Sequence, residues 1–155
     1  MRERLAKVVS PMAVTQGVQL AGRLWRARLN ERLAAIGQTE ARYMALEEIA
    51  ASSHGLPQHQ LADQLGVKEP TIVRIVDALE ANQWVERRVQ QTDRRTKVVH
   101  LQPAAEAVLE QSRAMVRELK DELFTGIPTE DVDACLRVLA TLARKLCDDD
   151  ARAAW

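Results

Sequence analysis

The chain has 155 residues, and its 22 Lys and Arg side chains are balanced by 22 Asp and Glu side chains. A hydrophobic fraction of 46% and a charged fraction of 28% are typical of a folded globular protein and exclude a disordered chain. Apolar runs stay below the ~18 residues of a membrane span, no signal-peptide core is visible, and two cysteines exclude a disulfide framework. We therefore expect a cytoplasmic protein.

Two helices are predicted in the first third of the chain. In the first, from Met12 to Ile36, apolar residues recur every three or four positions, and Gly37 is expected to end it. Thr39 is the predicted N-cap of a second helix over residues 40–52. A loop rich in small polar residues follows.

The next segment has the pattern of a helix-turn-helix. Pro57 is expected to open a short helix that stops at Gly66, and Pro70 to start a second helix, TIVRIVDALEA. After Asn82 the hydrophobic period changes from 3.6 to 2 in WVERRV and KVVHL, which predicts a two-stranded hairpin with a charged tip. The predicted fold class is mainly α, an α+β winged helix.

Two long amphipathic helices are predicted after the hairpin, from Pro103 to Phe124 and over residues 129–147, with a frayed acidic tail. Together with the first helix they carry wide apolar stripes outside the small winged-helix core, and such stripes are often buried against a second copy. We predict an intertwined homodimer in which residues 1–36 and 103–155 form the helical dimerisation region. Residues 37–102 form the winged helix-turn-helix domain.

The zero net charge hides a basic stretch. Residues 103–155 carry 7 basic and 11 acidic side chains, whereas residues 84–97 carry 5 basic and 2 acidic ones. A basic hairpin next to a helix-turn-helix is a pattern of nucleic-acid contact, although a charged tip can also be a solvated face.

Residues 61–101 closely resemble the MarR family of transcription regulators, most of all its SlyA-type branch. The resemblance depends on LADQLGV, PTIVRIVDALE and TDRR, which stand in this order and at the family's spacing. It extends to the first two helices and more loosely to the last two. It implies that residues 37–102 are a DNA-binding domain and that a homodimer binds double-stranded DNA at a palindromic A·T-rich operator. From the family we also expect it to act as a repressor.

The resemblance assigns DNA contacts to the second helix of the motif and to the hairpin. Arg74 can donate two hydrogen bonds to guanine, and Thr71, beside Pro70 at the helix N-terminus, suits a phosphate or a thymine methyl. Arg94 is expected to enter the minor groove, with Asp93 orienting a neighbouring arginine. Phosphate contacts are expected from three further basic residues, Arg87, Arg95 and Lys97. Taken alone, without the motif, Arg74 is better interpreted as a solvated helix arginine.

A ligand site is a second implication. Arg23 and Arg26 are three residues apart on one edge of the first helix, and in SlyA-type members this edge faces an aromatic residue, here Tyr43. Two cations and a ring could bind a small aromatic carboxylate or phenolic effector. The alternative is that the arginines pair with Glu47 or Glu48 and that Tyr43 belongs to the core.

Gln83 departs from the family, which usually has glycine before the first strand of the hairpin. If the backbone at Gln83 is left-handed, glutamine destabilises the fold by about 1 kcal/mol relative to glycine, unless Asn82 adopts the left-handed conformation instead. Trp84, where leucine is common, is still expected to anchor the core.

Two other functions remain open: a winged-helix dimer that serves as a protein-interaction module, and a regulator that senses oxidants through Cys135 or Cys147. The two cysteines stand twelve residues apart on one predicted helix, beyond disulfide reach within a chain, and on an apolar face where cysteine is usually inert packing. No phosphate loop, nucleophile motif or Cys/His cluster is present, so we expect no enzyme, no catalytic residue, no metal and no cofactor.

Overall fold

The computed structural model describes residues 10–89 and 96–153, with side chains described as far as residue 147. The described residues are mainly helical and include a small three-stranded antiparallel sheet, which confirms the winged-helix fold class. The chain divides into two units, of which the first ends at Glu118 and the second begins at Leu119. This boundary lies inside a helix, and the functional division into residues 1–36, 37–102 and 103–155 stays a prediction.

The helices and strands follow the predicted order with one addition. The helices are α1 (Pro11–Leu33), α2 (Glu40–Ala51), α3 (Gln58–Gln64), α4 (Glu69–Ala81), α5 (Ala105–Phe124) and α6 (Thr129–Ala153). A single 3-10 helix over Ala34–Ile36 follows α1 among the described residues. The strands are β1 (Leu56–Pro57), β2 (Val85–Val89) and β3 (Lys97–Leu101). Over the described residues, no helix combines the length and the apolar character that crossing a membrane requires.

Side-chain caps explain where α1 and α2 begin. The hydroxyl of Ser10 accepts a hydrogen bond from the backbone N–H of Ala13 at 3.2 Å. Thr39 accepts one from the N–H of Arg42 at 3.3 Å, which confirms the predicted N-cap. Between the two helices, Gly37 has a φ of 68°, which confirms that it ends the first helical segment in a left-handed conformation.

The sheet has one strand more than the predicted hairpin. β2 pairs with β3 along all five residues of each strand, and β1 places Leu56 opposite Val99 on the other side of β3. Pro57, expected as the first residue of a helix, is instead part of β1 and precedes α3. A two-residue strand is too short to show a hydrophobic period, which is why the sequence did not reveal it.

Other boundaries also differ from prediction. α5 begins at Ala105, because Pro103 lies in a turn closed by a hydrogen bond from the Ala105 N–H to the Gln102 carbonyl at 2.9 Å. α6 continues to Ala153 instead of fraying after residue 147. Gln83 takes the left-handed conformation itself, with φ of 60°, while φ of Asn82 is −91°.

The core of the first unit lies where α3 and α4 meet α1, α2 and the sheet. The predicted inward face of α4 is confirmed, since Ile72, Val76 and Leu79 are fully buried. The other large buried side chains of this core are Leu29, Leu33, Leu46, Ile49, Leu61, Val85 and Val99. This packing fixes which face of α4 is turned to solvent.

Apolar side chains remain exposed outside this core. On α1 they are Met12, Val14, Val18 and Leu24. On α6 they are Leu136, Val138, Leu142 and Leu146. Cys135 and Cys147 of this helix are exposed as well. Redox sensing by either cysteine stays a prediction.

Candidate nucleic-acid interface

The N-terminal half of α4 presents the residues expected to read DNA. Pro70, Thr71 and Arg74 are all exposed, opposite the face buried in the core. No side chain caps the start of α4. Pro70 has no backbone N–H, and the N–H groups of Thr71 and Ile72 donate to the Lys68 carbonyl at 2.9 and 3.2 Å, so a phosphate at this end of α4 would be bound mainly by exposed side chains. Within the described part of the chain no acidic side chain pairs with Arg74.

Two further residues of this surface were not singled out from the sequence. Val73 is exposed beside Arg74, and the Asp77 side chain is 57% exposed. Asp77 lies three residues after Arg74, so the two side chains are about 60° apart around the helix axis and are neighbours on one face. The sequence signal was their position in the predicted helix, one residue before and three residues after Arg74.

Arg87 is held within the protein by four hydrogen bonds from its guanidinium. Nη2 donates to the Asp77 carboxylate at 2.5 Å and to the Val73 carbonyl at 3.2 Å. Nη1 donates to the Glu80 carboxylate at 2.7 Å, and Nε donates to the Gln58 side chain at 3.1 Å. Glu80 also accepts the backbone N–H of Arg87 at 3.1 Å.

These bonds argue against a phosphate contact by Arg87, although that assignment stays a prediction. A guanidinium has five N–H groups, and four of them are already used in internal hydrogen bonds. The side chain is only 16% exposed. Arg87 therefore joins β2 to α3 and α4.

The hairpin supplies a second set of candidates. Lys97, at the start of β3, is exposed and can reach a phosphate. Arg88 is exposed and forms an ion pair with Glu86. Asp93, Arg94 and Arg95 lie outside the described residues, so their assignment to the minor groove and the backbone stays a prediction.

A cleft of about 380 Å³ lies between α1, α2 and the helix-turn-helix. Its charged and polar lining residues are Arg26, Glu40, Glu48 and Gln64. Its apolar lining residues are Ala41, Met44, Leu65, Val67 and Ile75. Burial raises the pKa of Glu40, and the charge of Arg26 opposes this rise. Arg26 thus lies at a cleft that reaches the back of α4 at Ile75.

The predicted triad of Arg23, Arg26 and Tyr43 is not brought together at this cleft, since Arg23 and Tyr43 do not line it. Tyr43 is buried, and burial followed by its hydrogen bond to Glu47 raises its pKa to about 12. Glu47 accepts two hydrogen bonds from Arg113 of α5, at 2.9 Å from Nε and 2.8 Å from Nη2. Tyr43 therefore belongs to a polar contact between α2 and α5, as in the alternative that places it in the core, and its role in ligand binding stays a prediction.

No metal site emerges among the described side chains, because none of them form a group of three or more His, Cys, Asp or Glu placed to hold an ion.

Comparison with known proteins agrees with this geometry. A sequence profile of the MarR family matches residues 39–97. The chain is 30% identical to the transcriptional regulator PA3341, with a TM-score of 0.77, covering 87% of this chain and 98% of that chain.

Two further solved structures share the fold at 24% identity each. A mutant MarR from E. coli complexed with operator DNA has a TM-score of 0.76 and covers 83% of this chain and 92% of its own. CouR from Rhodococcus jostii RHA1 bound to p-coumaroyl-CoA has a TM-score of 0.73, covering 84% and 91%.

Proposed function

We propose, since the chain belongs to the MarR family of DNA-binding transcription regulators, that it acts as a cytoplasmic homodimeric repressor of a palindromic A·T-rich operator. A regulator of this family binds DNA and carries out no chemical step, so the chain is not an enzyme. The likeness to the SlyA-type branch is part of the proposal and depends on the motifs LADQLGV and TDRR.

One observation carries the proposal. The buried face of α4 leaves Pro70, Thr71 and Arg74 exposed together at its N-terminal end, where a helix-turn-helix presents side chains to the major groove. The exposed guanidinium of Arg74 can donate two hydrogen bonds to guanine O6 and N7, and the exposed hydroxyl of Thr71 can donate one to a phosphate.

Selection from random duplexes, followed by two matched variants, tests this function. Arg74→Ala should cost about 1–3 kcal/mol of binding to the selected duplex and should relax its sequence preference. Lys97→Ala removes the same charge at a phosphate contact, so it should weaken binding to every duplex alike and reduce the salt slope by about one unit. Identical behaviour of the two variants on selected and random duplexes contradicts these roles.

The homodimer is supported by the exposed apolar side chains of α1 and α6. On α6, Val138 and Leu142 lie four residues apart and line a shallow groove, and Leu146 continues the same stripe. A 25-residue helix with one apolar face gains stability when a second copy covers that face. A dimer also sets two recognition helices about 34 Å apart, as a palindromic site requires.

Sedimentation at micromolar concentration tests the homodimer, for which we expect twice the 17.4 kDa of one chain. Leu142→Asp should shift the protein towards the monomer, because it places a charge in the apolar stripe. Ala140→Asp is the control, since Ala140 is exposed about 160° away around the same helix. A monomeric wild-type protein refutes the proposal.

A small aromatic acid is the proposed effector, and the cleft beside Arg26 is its proposed site. A carboxylate can pair with Arg26, the ring can pack on Met44 and Ile75, and a phenolic hydroxyl can donate to Glu40 or Glu48. The aromatic acyl ligand of CouR supports this class of compound. Because the cleft borders α4, a ligand there could change DNA affinity by its differential affinity for two states.

Calorimetry with salicylate tests the effector site. Arg26→Ala should abolish the binding heat, whereas Arg23→Ala should retain it, because Arg23 is an exposed arginine of the same helix that does not line the cleft. Absence of heat with the wild-type protein, or equal losses in the two variants, contradicts the proposal.

A further inference from the structure

Helix α4 carries a carboxylate, that of Asp77, beside Arg74, the arginine proposed to bind a base. Asp77 and Arg74 are three residues apart and both exposed, which is the spacing at which opposite charges pair on a helix. Asp77 instead binds Arg87 of the neighbouring strand at 2.5 Å. Its negative charge is thereby neutralised by a residue that does not itself face the groove.

We propose that Arg87 is a positioning residue for DNA reading, which holds Asp77 away from Arg74 so that Arg74 can bind a base. The inference rests on the proposed function. It is supported by the remaining bonds of Arg87, because Glu80, Gln58 and the Val73 carbonyl fix the guanidinium in one place. Without Arg87, the exposed Asp77 carboxylate is free to pair with Arg74 three residues away on the same helix, so Arg74 is occupied when DNA approaches.

Arg87→Lys separates this role from a phosphate contact, because it keeps the positive charge. A lysine has three N–H groups on one nitrogen and cannot reach four acceptors on two helices at once. We expect affinity for the selected duplex to fall about tenfold, within the range for loss of one bidentate guanine contact, with the salt slope unchanged. Arg28→Lys, the same change at an exposed arginine of α1 that pairs with Glu31, is the control and should bind like the wild type.

Two combinations test whether Arg87 acts through Asp77 and Arg74. Arg87→Met with Asp77→Asn has the net charge of the wild type and no carboxylate to compete for Arg74. It should bind the selected duplex within about threefold of the wild type, whereas Arg87→Met alone should not. In an Arg74→Ala background, Arg87→Lys should cause no further loss of sequence preference, because the residue through which it acts is absent.

The measurement is fluorescence anisotropy of the full chain with the selected and a scrambled duplex over a salt series. Circular dichroism at the assay temperature shows which variants are folded. If Arg87→Met is unfolded, the inference is tested by Arg87→Lys alone and in the Arg74→Ala background. Wild-type affinity for Arg87→Lys, no recovery with Asp77→Asn, or additive losses with Arg74→Ala each overturn the inference while leaving the regulator function intact. A wild-type protein that prefers no duplex overturns both.

Discussion

Gln38 is buried in a way that should destabilise the wild-type protein. Its side chain is 2% exposed, and neither Oε1 nor Nε2 has a hydrogen-bond partner within the described residues. Its backbone N–H donates to the Leu33 carbonyl at 3.0 Å, and it lies between the left-handed Gly37 and the helix-capping Thr39. The backbone on both sides therefore holds the amide in the interior.

Gln38→Met keeps the length of the side chain and removes both unpaired polar atoms. An unsatisfied buried polar group costs about 1–3 kcal/mol, so we expect the free energy of unfolding to rise by about this amount. With a urea m-value of about 2 kcal/mol per M, the midpoint of unfolding should rise by about 1 M at unchanged m-value. The protein concentration is kept constant, because the stability of a dimer depends on it.

Gln111→Met is the matched control, since Gln111 is exposed on α5 and its substitution should change stability by less than about 0.5 kcal/mol. A lower urea midpoint for Gln38→Met would refute the reasoning. It would mean that the amide makes hydrogen bonds, for example to buried water, that outweigh the cost of removing it from solvent.

Three other predictions concern particular backbone or protonation states. Gln83→Gly should raise the free energy of unfolding by about 1 kcal/mol in urea, because φ is 60°, whereas Gln83→Ala should not raise it. Gly55→Ala should lower it by at least about 1 kcal/mol, since a Cβ there would lie 2.6 Å from the His100 ring and φ is 76°; an unchanged melting temperature contradicts this. Tyr43 is the single tyrosine of the chain, so absorbance at alkaline pH reports it directly and should titrate at about 12 instead of 10. Because the folded state keeps this proton longer than the unfolded state, stability should fall as pH rises from about 10 towards 12, and a titration midpoint near 10 would contradict the burial of the phenol.

The sequence predicted α4 well because every local signal in it agreed. Pro70 stands at the start, Ile72, Val76 and Leu79 recur at helical spacing, and the structure buries those three. β1 could not be predicted, since it consists of two residues that are paired only because β3 lies beside them. Local pattern thus identifies an element with its own period and misses one that depends on a distant strand.

The predicted grouping of Arg23 and Tyr43 with Arg26 differs from the lining of the cleft for a related reason. Tyr43 and Met44 are consecutive on α2, yet Met44 lines the cleft with Arg26 while Tyr43 faces Glu47. Which of these two residues lines the cleft depends on the element that covers each side of α2. Arg113, which binds Glu47, lies 66 residues further along the chain. Spacing placed the arginine and the aromatic residue on adjacent helices but did not determine which faces meet.

Counting charges along the sequence also overestimates the positive charge of the hairpin, because it omits residues that are distant in sequence but close in the fold. Residues 84–97 contain five basic and two acidic side chains, but Arg87 is bound by Asp77 and Glu80, which lie outside that window on α4. With these two carboxylates included, the five positive charges face four negative ones. Because non-specific affinity grows with the number of phosphates neutralised, we expect weak attraction to random DNA and a preference that depends on a few contacts, with Arg74 first among the described ones.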